Sequence, residues 1–479
     1  MRQTGGLRGF IYEMSAWRVL RRKEIVVKAS VFYMRVAALL LALGCLLCSC
    51  SVPDALLSSS EELFESSARP LEPEQSLLSE EEQSSEPEPP EPPEPPEPPE
   101  PPEPPEPVNR IAGNEERIDA AIDGILASFK VVGGSVAAFE KGEIVYLHHY
   151  GMANLERGLR VTDETRFRTA SIAKAVTSMF AMRLVDEGRL DIDADICKLV
   201  NEKLRNPAYP NEPITTRQLM THTSGLIDGA AYQGAISSLP FAPLETLLDD
   251  GRIRSGAKPG TVYAYTNFGM GLVSGVIESA VGERFYDHTY ELFRELGMDA
   301  AYINAMLGDK SQIATMYRNG EPTAEPSKWK DMRLDYVNIP VGQLYMLGHG
   351  DLYISARDLA RIGCIMAGDG SLDGVQVISR ESLDEMHTVQ FIDKDGGAVR
   401  GLGVERFDHI IDEKSFWGHQ GNAYGMLSGM IYDIDNACGF VVLTNSCTGG
   451  KVDGVYGVNR AVVRELWQYF EPDVGGVTE

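Results

Sequence analysis

The sequence predicts a mixed α/β (α+β) domain, in which helices flank one antiparallel sheet and an all-helical lobe is inserted. Near the start of the domain, two apolar segments flank Lys141-Gly142, a pair of residues that indicates a β-hairpin. Near its end, segments 426–432 and 439–444 have the composition of two antiparallel strands. From about 188 to 341 the pattern indicates helices and loops, without a convincing series of strands. Because both ends of the domain supply strands, we expect both to complete one sheet.

Three helices are predicted to cover this sheet. The first follows Asn114, which suits the N-cap position, and carries apolar residues at helical spacing. The second runs from about 172 to 187 and stops at Gly188. The third closes the chain over 462–470.

Residues 1–50 have the organisation of an export signal. Basic residues precede an apolar run of 13 residues that ends at Cys48. A helix of that length spans roughly 20 Å, short of the ~30 Å hydrocarbon core, which favours a signal peptide over a membrane-spanning helix. The sequence Leu47-Cys-Ser-Cys50 resembles the bacterial lipobox, so we expect Cys50 to be lipidated. Cys45 and a plain cleaved signal peptide are the alternatives. The prediction is an extracytoplasmic protein, lipid-anchored to the outer face of the cell membrane.

Residues 51–107 have the composition of a disordered stalk rich in Ser, Glu and Pro, and they separate the leader from a domain at 108–479. Glu-Pro-Pro repeats run from Glu86 to Pro107 and favour an extended polyproline II spacer over a recognition ligand. At ~3.1 Å per residue this stretch would reach on the order of 70 Å.

Charge and cysteine spacing exclude several classes of function. Of the net charge of −26, the first 50 residues carry +6 and the stalk −16, which leaves −16 on the domain. An acidic domain argues against nucleic acid or an anionic membrane surface as a partner. Its four cysteines, free or paired, show no metal-ligand spacing (Cys197, Cys364, Cys438 and Cys447). No P-loop or dinucleotide-binding glycine pattern occurs, so no cofactor or metal is expected.

Ser171-Ile-Ala-Lys174 carries the strongest chemical signal. Residues three apart share a helix face, so the Lys174 amine can reach the Ser171 hydroxyl. A desolvated lysine with a lowered pKa can accept the serine proton, and free N–H groups at a helix start favour developing negative charge. A second Ser-x-x-Lys sequence, Ser327 to Lys330, lies in a polar segment that would bury neither group.

The surroundings of this motif resemble the beta-lactamase-related serine hydrolases, which include class C beta-lactamases, D-alanyl-D-alanine carboxypeptidases, D-aminopeptidases and serine esterases. The matching segments occur in the family's order: 167–178 with 184–193, 214–226, 258–269, 352–361 and 418–421. The resemblance spans about 115–470. It implies the beta-lactamase and penicillin-binding-protein-like fold.

The resemblance assigns roles to the second motif, Tyr265-Thr-Asn267. Tyr265 would shuttle the proton between Ser171, Lys174 and the leaving group, with Lys174 stabilising its anionic form. Asn267 would hydrogen-bond the substrate amide and Lys174. The similar sequence Tyr336-Val-Asn lacks the family surroundings. His222 occupies a turn landmark of the family, so we expect a structural role for it.

The third motif, His419-Gln-Gly421, departs from the Lys-Thr-Gly of class C beta-lactamases and resembles the carboxypeptidase, aminopeptidase and esterase branches. Gly421 would let the chain approach the substrate closely. The backbone N–H of Asn422 would form the oxyanion hole with that of Ser171. His419 either carries a charge that pairs with a substrate carboxylate or stays neutral and only hydrogen-bonds.

These observations predict an exported serine hydrolase that works through a Ser171 acyl-enzyme on D-amino-acid cell-wall peptides, as a D-alanyl-D-alanine carboxypeptidase does. A serine esterase and a weak class C-like beta-lactamase are alternatives. A non-catalytic penicillin-binding-like protein is the alternative from another class. The expected partners are a small peptide, ester or beta-lactam substrate, and the membrane through the lipid anchor, with no nucleic acid.

Overall fold

A nine-stranded antiparallel sheet, completed by both ends of the domain, organises the structure. The computed structural model describes residues 110–237, 239–249, 254–324, 332–393 and 397–470. The leader with Cys50 and the stalk lie outside the described residues. Across the sheet the strands lie in the order 391–392, 399–400, 405–407, 416–423, 426–433, 438–444, 133–140, 143–154 and 159–160, so the N-terminal hairpin pairs with the last long strand of the chain. The predicted single sheet is confirmed.

The strands of this sheet are long at its centre and short at its edges. They are β1 Gly133–Glu140, β2 Glu143–Asn154, β3 Leu159–Arg160, β10 Phe391–Ile392, β11 Val399–Arg400, β12 Glu405–Phe407, β13 Phe416–Ala423, β14 Met426–Asp433 and β15 Cys438–Thr444. The remaining short strands form two-stranded pairs: β4 Phe167–Arg168 with β7 Tyr353–Ile354, β5 Met316–Arg318 with β6 Glu321–Ala324, β8 Ser371–Leu372 with β9 Val375–Gln376, and β16 Lys451–Val452 with β17 Val455–Tyr456.

The helices cover both faces of the sheet and build the inserted lobe. They are α1 Glu115–Ser128, α2 Ile172–Asp186, α3 Ile196–Leu199, α4 Thr216–Met220, α5 Ala230–Ala235, α6 Leu244–Leu248, α7 Asn267–Val281, α8 Phe285–Glu295, α9 Ala356–Ala367, α10 Arg380–His387 and α11 Gly457–Trp467. The three predicted helices correspond to α1, α2 and α11. Asn114 is the N-cap residue of α1, as expected.

The sheet divides the apolar core into two layers, and strand β1 shows why. Its side chains alternate, so Val136 and Ala138 join the layer with α1 and α11, whereas Ala137 and Phe139 join the layer with α2 and α9. Phe139 is fully buried, which contributes about 1.5–3 kcal/mol. A Cβ at Gly363 or Gly439 would lie 2.4 or 2.5 Å from its ring, so both positions require glycine.

The hairpin predicted at Lys141-Gly142 is confirmed. Both residues have positive φ, 48° and 86°, as in the two-residue turns whose twist matches that of antiparallel strands.

Two details differ from the sequence prediction. The third motif lies within strand β13 instead of before the first C-terminal strand, and the region expected to be helix and loop contains the short β5–β6 pair. Strand β13 lacks the alternation of a half-buried strand, because it is buried along most of its length.

The described residues include no helix that is long and apolar enough to cross a membrane. The four cysteines of the domain are free thiols and are not paired in disulfides, the two possibilities that their spacing left open. Cys197, Cys364 and Cys438 are buried, and burial raises the pKa of each thiol.

Candidate active site

Ser171 lies at the start of helix α2, on a strained turn. The preceding Ala170 has a φ of 49°, in the left-handed region that costs a side-chain-bearing residue energy. Neighbouring strands hold the turn in place. Thr169 donates its N–H to the carbonyl of Leu352 at 2.9 Å and accepts from Ser428 Oγ at 2.8 Å. The turn leaves Ser171 half-buried, so a substrate can reach its hydroxyl.

Lys174 is completely buried one helical turn beyond Ser171. Its Nζ lies 3.0 Å from Ser171 Oγ, 2.9 Å from Asn267 Oδ1 and 2.6 Å from the carbonyl oxygen of His349. Burial lowers the pKa of Lys174 to about 7, despite the opposing attraction of nearby carboxylates. A neutral amine here donates to the two carbonyl oxygens and presents its lone pair to the serine hydroxyl. The amine is therefore placed to act as a base near neutral pH.

Tyr265 contacts the nucleophile from the other side. Its hydroxyl donates to Ser171 Oγ at 2.9 Å, its ring centroid is 5.0 Å from Lys174 Nζ, and the residue is 41% exposed. Burial of the phenol raises the pKa of Tyr265 to about 12, although its hydrogen bond to Ser171 acts in the opposite direction. Tyr265 is therefore a neutral phenol in the free enzyme at neutral pH.

Asn267 begins helix α7, and Asp228 fixes its orientation. Asp228 accepts hydrogen bonds from Asn267 Nδ2 at 2.9 Å, Thr266 Oγ1 at 2.8 Å and the N–H of Phe268 at 2.8 Å. With the amide nitrogen engaged by Asp228, the amide oxygen of Asn267 faces Lys174. Sequence reasoning missed Asp228, whose only signal is an acidic residue just after the matching segment 214–226.

His222 supports Tyr265 and has no catalytic geometry of its own. The ring is buried, its Nδ1 accepts from the N–H of Thr266 at 3.3 Å, and it packs against Tyr265 with centroids 4.3 Å apart. Burial lowers the pKa of His222 well below its ordinary value, so the ring is neutral. These contacts agree with the structural role expected from the sequence.

His419 on strand β13 is also a neutral, buried side chain. It is 4% exposed, its Nδ1 lies 2.8 Å from the carbonyl oxygen of Gln420, and burial lowers its pKa well below the ordinary value. The nearby cations Lys174 and Arg400 act in the same direction. Of the two roles that the sequence left open for His419, the structure favours the neutral one.

Gly421 makes room for the turn that carries the nucleophile. A Cβ at this position would lie 2.2 Å from the carbonyl oxygen of Thr169 and 2.3 Å from Ser428 Oγ. The sequence predicted close approach to the substrate. The close packing of β13 against the residues before Ser171 is a further reason for the glycine, and the approach to the substrate stays a prediction.

The backbone N–H of Asn422 points to the open edge of β13. Asn422 pairs with Leu427, whose own N–H donates to Thr444 Oγ1 on β15 at 3.2 Å. This pair is therefore of the non-hydrogen-bonded kind, in which both N–H groups point away from each other. Among the described residues β12 pairs with β13 only as far as Gly418, so the Asn422 N–H remains available beside the turn of the nucleophile.

Arg400 on strand β11 is a second residue that the sequence did not reveal. It is buried, pairs with Glu405 at 3.0 Å and lies over the ring of Tyr263 at 5.1 Å. Its charge lowers the pKa of Lys174 and of the two buried histidines, His222 and His419.

Among the described residues, Tyr336 of the alternative Tyr-Val-Asn sequence makes no hydrogen bond to Ser171 or Lys174. Tyr336 is buried against Phe241 and Tyr286, with ring centroids 4.9 and 6.2 Å away. Ser327 and Lys330 fall outside the described residues. Within the described part of the chain, no group of three or more His, Cys, Asp or Glu side chains is arranged to hold a metal ion.

Comparison with known proteins identifies the family. The sequence model of the family described as Beta-lactamase matches residues 118–463, most of the chain. The chain therefore belongs to the beta-lactamase family, and it is a serine hydrolase of that family.

Two curated relatives are enzymes. Esterase EstB of Burkholderia gladioli is 28% identical over 248 residues, which cover 49% of this chain and 60% of the esterase. The D-aminopeptidase of Gluconobacter oxydans strain 621H is 31% identical over 199 residues, which cover 40% of this chain and 36% of that enzyme. The chain thus spans three fifths or less of the length of these two relatives.

A solved structure shares the fold. The octameric penicillin-binding protein homologue from Pyrococcus abyssi superposes with a TM-score of 0.58 and 24% identity, over 74% of this chain and 77% of that chain. The likeness confirms the predicted beta-lactamase and penicillin-binding-protein-like fold.

Proposed function

We propose that this protein is an exported serine hydrolase that forms an acyl-enzyme at Ser171 and acts on D-amino-acid peptides of the cell wall. The observation that carries the proposal is the arrangement around Ser171 Oγ. A lysine whose pKa is lowered to about 7 and a neutral tyrosine both lie within 3.0 Å of this one hydroxyl. A serine hydroxyl is a weak nucleophile, and a base in contact with it is the arrangement that activates it.

In the acylation step, Ser171 Oγ attacks the substrate carbonyl carbon while its proton passes to the neutral amine of Lys174. The tetrahedral oxyanion accepts hydrogen bonds from the N–H groups of Ser171 and Asn422. When the carbon–nitrogen or carbon–oxygen bond breaks, Tyr265 gives its proton to the leaving group and regains one from Lys174. The acyl-enzyme and a protonated leaving group result, with Lys174 neutral again.

Deacylation repeats these transfers with water as the nucleophile. Water loses a proton through Tyr265 to Lys174 and attacks the ester carbon, and the proton returns to Ser171 Oγ as the acid is released. Asn267 holds Lys174 in place for both steps through its amide oxygen, which Asp228 orients.

The proposed substrate class and location rest on separate support. A curated D-aminopeptidase is among the relatives, and the leader, lipobox-like Cys50 and stalk would hold the domain outside the membrane, where cell-wall peptides occur. If Cys50 is the lipidated residue, Cys50→Ala should move the protein from the membrane fraction to the medium with its specific activity unchanged. Continued membrane association would point to Cys45 or to an uncleaved leader.

A serine esterase is the second candidate. The neutral His419 supplies no fixed positive charge for a substrate carboxylate, and a curated relative is named as an esterase. Neutral esters would then be better substrates than peptides that end in a carboxylate.

Ser171→Ala tests the proposed chemistry. Intact-protein mass spectrometry after exposure to a penicillin, a fluorophosphonate or an activated ester should show an adduct on the native protein and none on the variant. A native protein that turns over no ester or D-amino-acid peptide and forms no adduct would favour a non-catalytic binding protein. Labelling that persists in the variant, or that maps to Ser327, would overturn the assignment of the nucleophile.

A further inference from the structure

A loop over residues 342–351 supplies one of the three hydrogen-bond partners of Lys174. The carbonyl oxygen of His349 lies 2.6 Å from Lys174 Nζ, the shortest of the three distances from that amine. The loop belongs to no helix or strand, and it turns at Leu347, whose φ is 70°. A residue with a side chain is strained in this left-handed region, so such a turn persists only where the surrounding structure holds it.

Thr177 holds the loop from helix α2. It lies one turn beyond Lys174, is fully buried, and donates its hydroxyl hydrogen to the carbonyl oxygen of Gly348 at 3.0 Å. The hydroxyl of Tyr302 lies 2.8 Å from Thr177 Oγ1. Because the single threonine proton is used at Gly348, the tyrosine is the donor in that pair. The residue before His349 is thus bonded to the helix that carries the lysine.

Ser274 holds the same residue from helix α7. Its buried Oγ accepts from the N–H of Gly348 at 3.1 Å, and this N–H also lies 3.0 Å from the carbonyl oxygen of Met346. The loop lies directly on the helix because Gly271 has no side chain, since a Cβ there would be 2.1 Å from the carbonyl oxygen of Tyr345. Both polar groups of Gly348 are therefore held by hydroxyls of the two helices beside the active site.

The carbonyl group that faces Lys174 is fixed in direction as well as in position. The N–H of Gly350 shares a peptide plane with the carbonyl of His349, and it donates to the carbonyl oxygen of Leu347 at 3.0 Å. A neutral amine has two N–H groups and one lone pair. With both N–H groups donated to carbonyl oxygens, the lone pair is left for Ser171. If the His349 carbonyl moved away, the amine could rotate and the lone pair would lose this direction.

We propose that Thr177 and Ser274 are positioning residues of the reaction. Through Gly348 they hold the carbonyl oxygen of His349 on Lys174 Nζ, and they thereby direct the lone pair of the amine at the serine hydroxyl. The two hydroxyls lie outside the three sequence motifs. The proposal rests on the proposed function, in which the lysine accepts the serine proton.

Loss of either hydroxyl changes no charge near the lysine. Burial lowers the pKa of Lys174 to about 7, and four charged side chains act on it further, two carboxylates that raise it and two guanidinium groups that lower it: Asp228, Asp351, Arg400 and Arg168. Burial also shifts the pKa of the other titratable groups around the amine away from 7, so they stay neutral: Tyr265, His222, His349 and His419.

The lost contact itself should lower the pKa of Lys174. An ammonium donates a stronger hydrogen bond to a carbonyl oxygen than a neutral amine does. A displaced His349 carbonyl therefore disfavours the protonated lysine, and the rising limb of the pH profile of kcat/KM should move to lower pH. Entry of water into a loosened site would act in the opposite direction, because it would reverse the effect of burial.

Thr177→Val tests the contact from α2, because valine has the shape of threonine without the hydroxyl. With p-nitrophenyl acetate as substrate, we expect kcat to fall by about 10- to 100-fold and KM to stay within about threefold. The rising limb should move to lower pH by about 0.5–1 unit. Thr177→Ser keeps the hydroxyl and should keep kcat within about threefold of the native value. A folded valine variant with native kcat, or with the limb at the native or a higher pH, would overturn the proposal.

Ser274→Ala tests the contact from α7, and it leaves α2 intact if Thr177→Val does not fold. Its effect on kcat should be smaller, about 3- to 10-fold, because the N–H of Gly348 keeps Met346 as a partner. The rising limb should again move to lower pH. An unchanged kcat in a folded Ser274→Ala protein, as judged by circular dichroism, would overturn the proposal.

Thr289→Val and Ser382→Ala are the matched controls. They remove buried hydroxyls that donate to the carbonyl oxygen of Phe285 at 2.8 Å and to Asp186 Oδ1 at 2.6 Å. Both should leave kcat within about threefold and the rising limb in place. Controls that act as strongly as the two test variants would overturn the proposal. Failure of the proposed function looks different, because the native protein would then form no acyl-enzyme at Ser171.

Discussion

The helical wall of the active site and its strand wall contribute in different ways. Helices α2 and α7 supply side chains, Lys174 and Asn267, whose polar atoms all have partners near Ser171. Strand β13 contributes the absence of a side chain at Gly421, which leaves space for the turn before Ser171, and a backbone N–H at Asn422. The one ionisable side chain of its motif, His419, is neutral and buried. The contribution of the helical wall thus depends on the pKa of its side chains, whereas that of the strand wall depends on the space that Gly421 leaves for the turn before Ser171.

The largest effects should follow changes to the helical wall and to Tyr265, which lies just before α7. Lys174→Ala and Tyr265→Phe should each lower kcat by about 10²–10⁴-fold, because each removes a proton-transfer group in contact with Ser171 Oγ. Steady-state kinetics with an activated ester measures the loss, and circular dichroism checks that the variants fold.

Matched controls should change kcat by less than about threefold. Lys198→Ala removes an exposed lysine from α3, Tyr209→Phe removes a surface hydroxyl, and Lys330→Ala removes the lysine of the alternative Ser-x-x-Lys sequence. If the controls lower activity as much as the two site variants, the assignment of the helical wall is wrong.

A smaller effect should follow a change to the strand wall. Gly421→Ala places a Cβ 2.2 Å from the carbonyl oxygen of Thr169 and should displace the turn before Ser171, lowering kcat/KM by about 10²-fold. Overpacking should also destabilise the fold by about 1–3 kcal/mol, measured by chemical denaturation. Gly308→Ala is the control, since an added Cβ there meets nothing within 4 Å. Native activity in Gly421→Ala would show that β13 does not position the nucleophile.

The smallest effect concerns pH and separates the two walls most sharply. If neutral Lys174 is the base, kcat/KM should rise with pH through about 7, as the amine loses its proton. Arg400→Gln removes a positive charge that lowers the pKa of Lys174. The rising limb of the pH profile of kcat/KM should therefore move to higher pH, and activity at pH 6.5 should fall by less than about tenfold.

Two controls test the origin of that limb. His419→Gln should leave the pH of the rising limb unchanged, since the neutral His419 ring does not titrate near pH 7. Arg406→Gln removes a partly exposed arginine of β12 and should also leave it unchanged. A limb that disappears in His419→Gln would assign it to His419 and would restore the charge-pairing role.

The sequence by itself determined the order of the main elements and the three motifs. The hairpin at Lys141-Gly142, the helix that starts after Ser171 and the two C-terminal strands are local patterns, so short-range spacing was sufficient to predict them. The spacing of Ser171 and Lys174 likewise follows from one helical turn.

Only the tertiary structure decided the electrostatics and the space around the site. Asp228, Arg400, His349 and Asp351 approach Lys174 from segments between 54 and 226 residues away in sequence, so no local pattern marks them. The pKa of a buried group depends on how completely the surrounding chain removes water and on which charges it brings near. That is why the sequence left two roles open for His419, whereas the folded chain favours one.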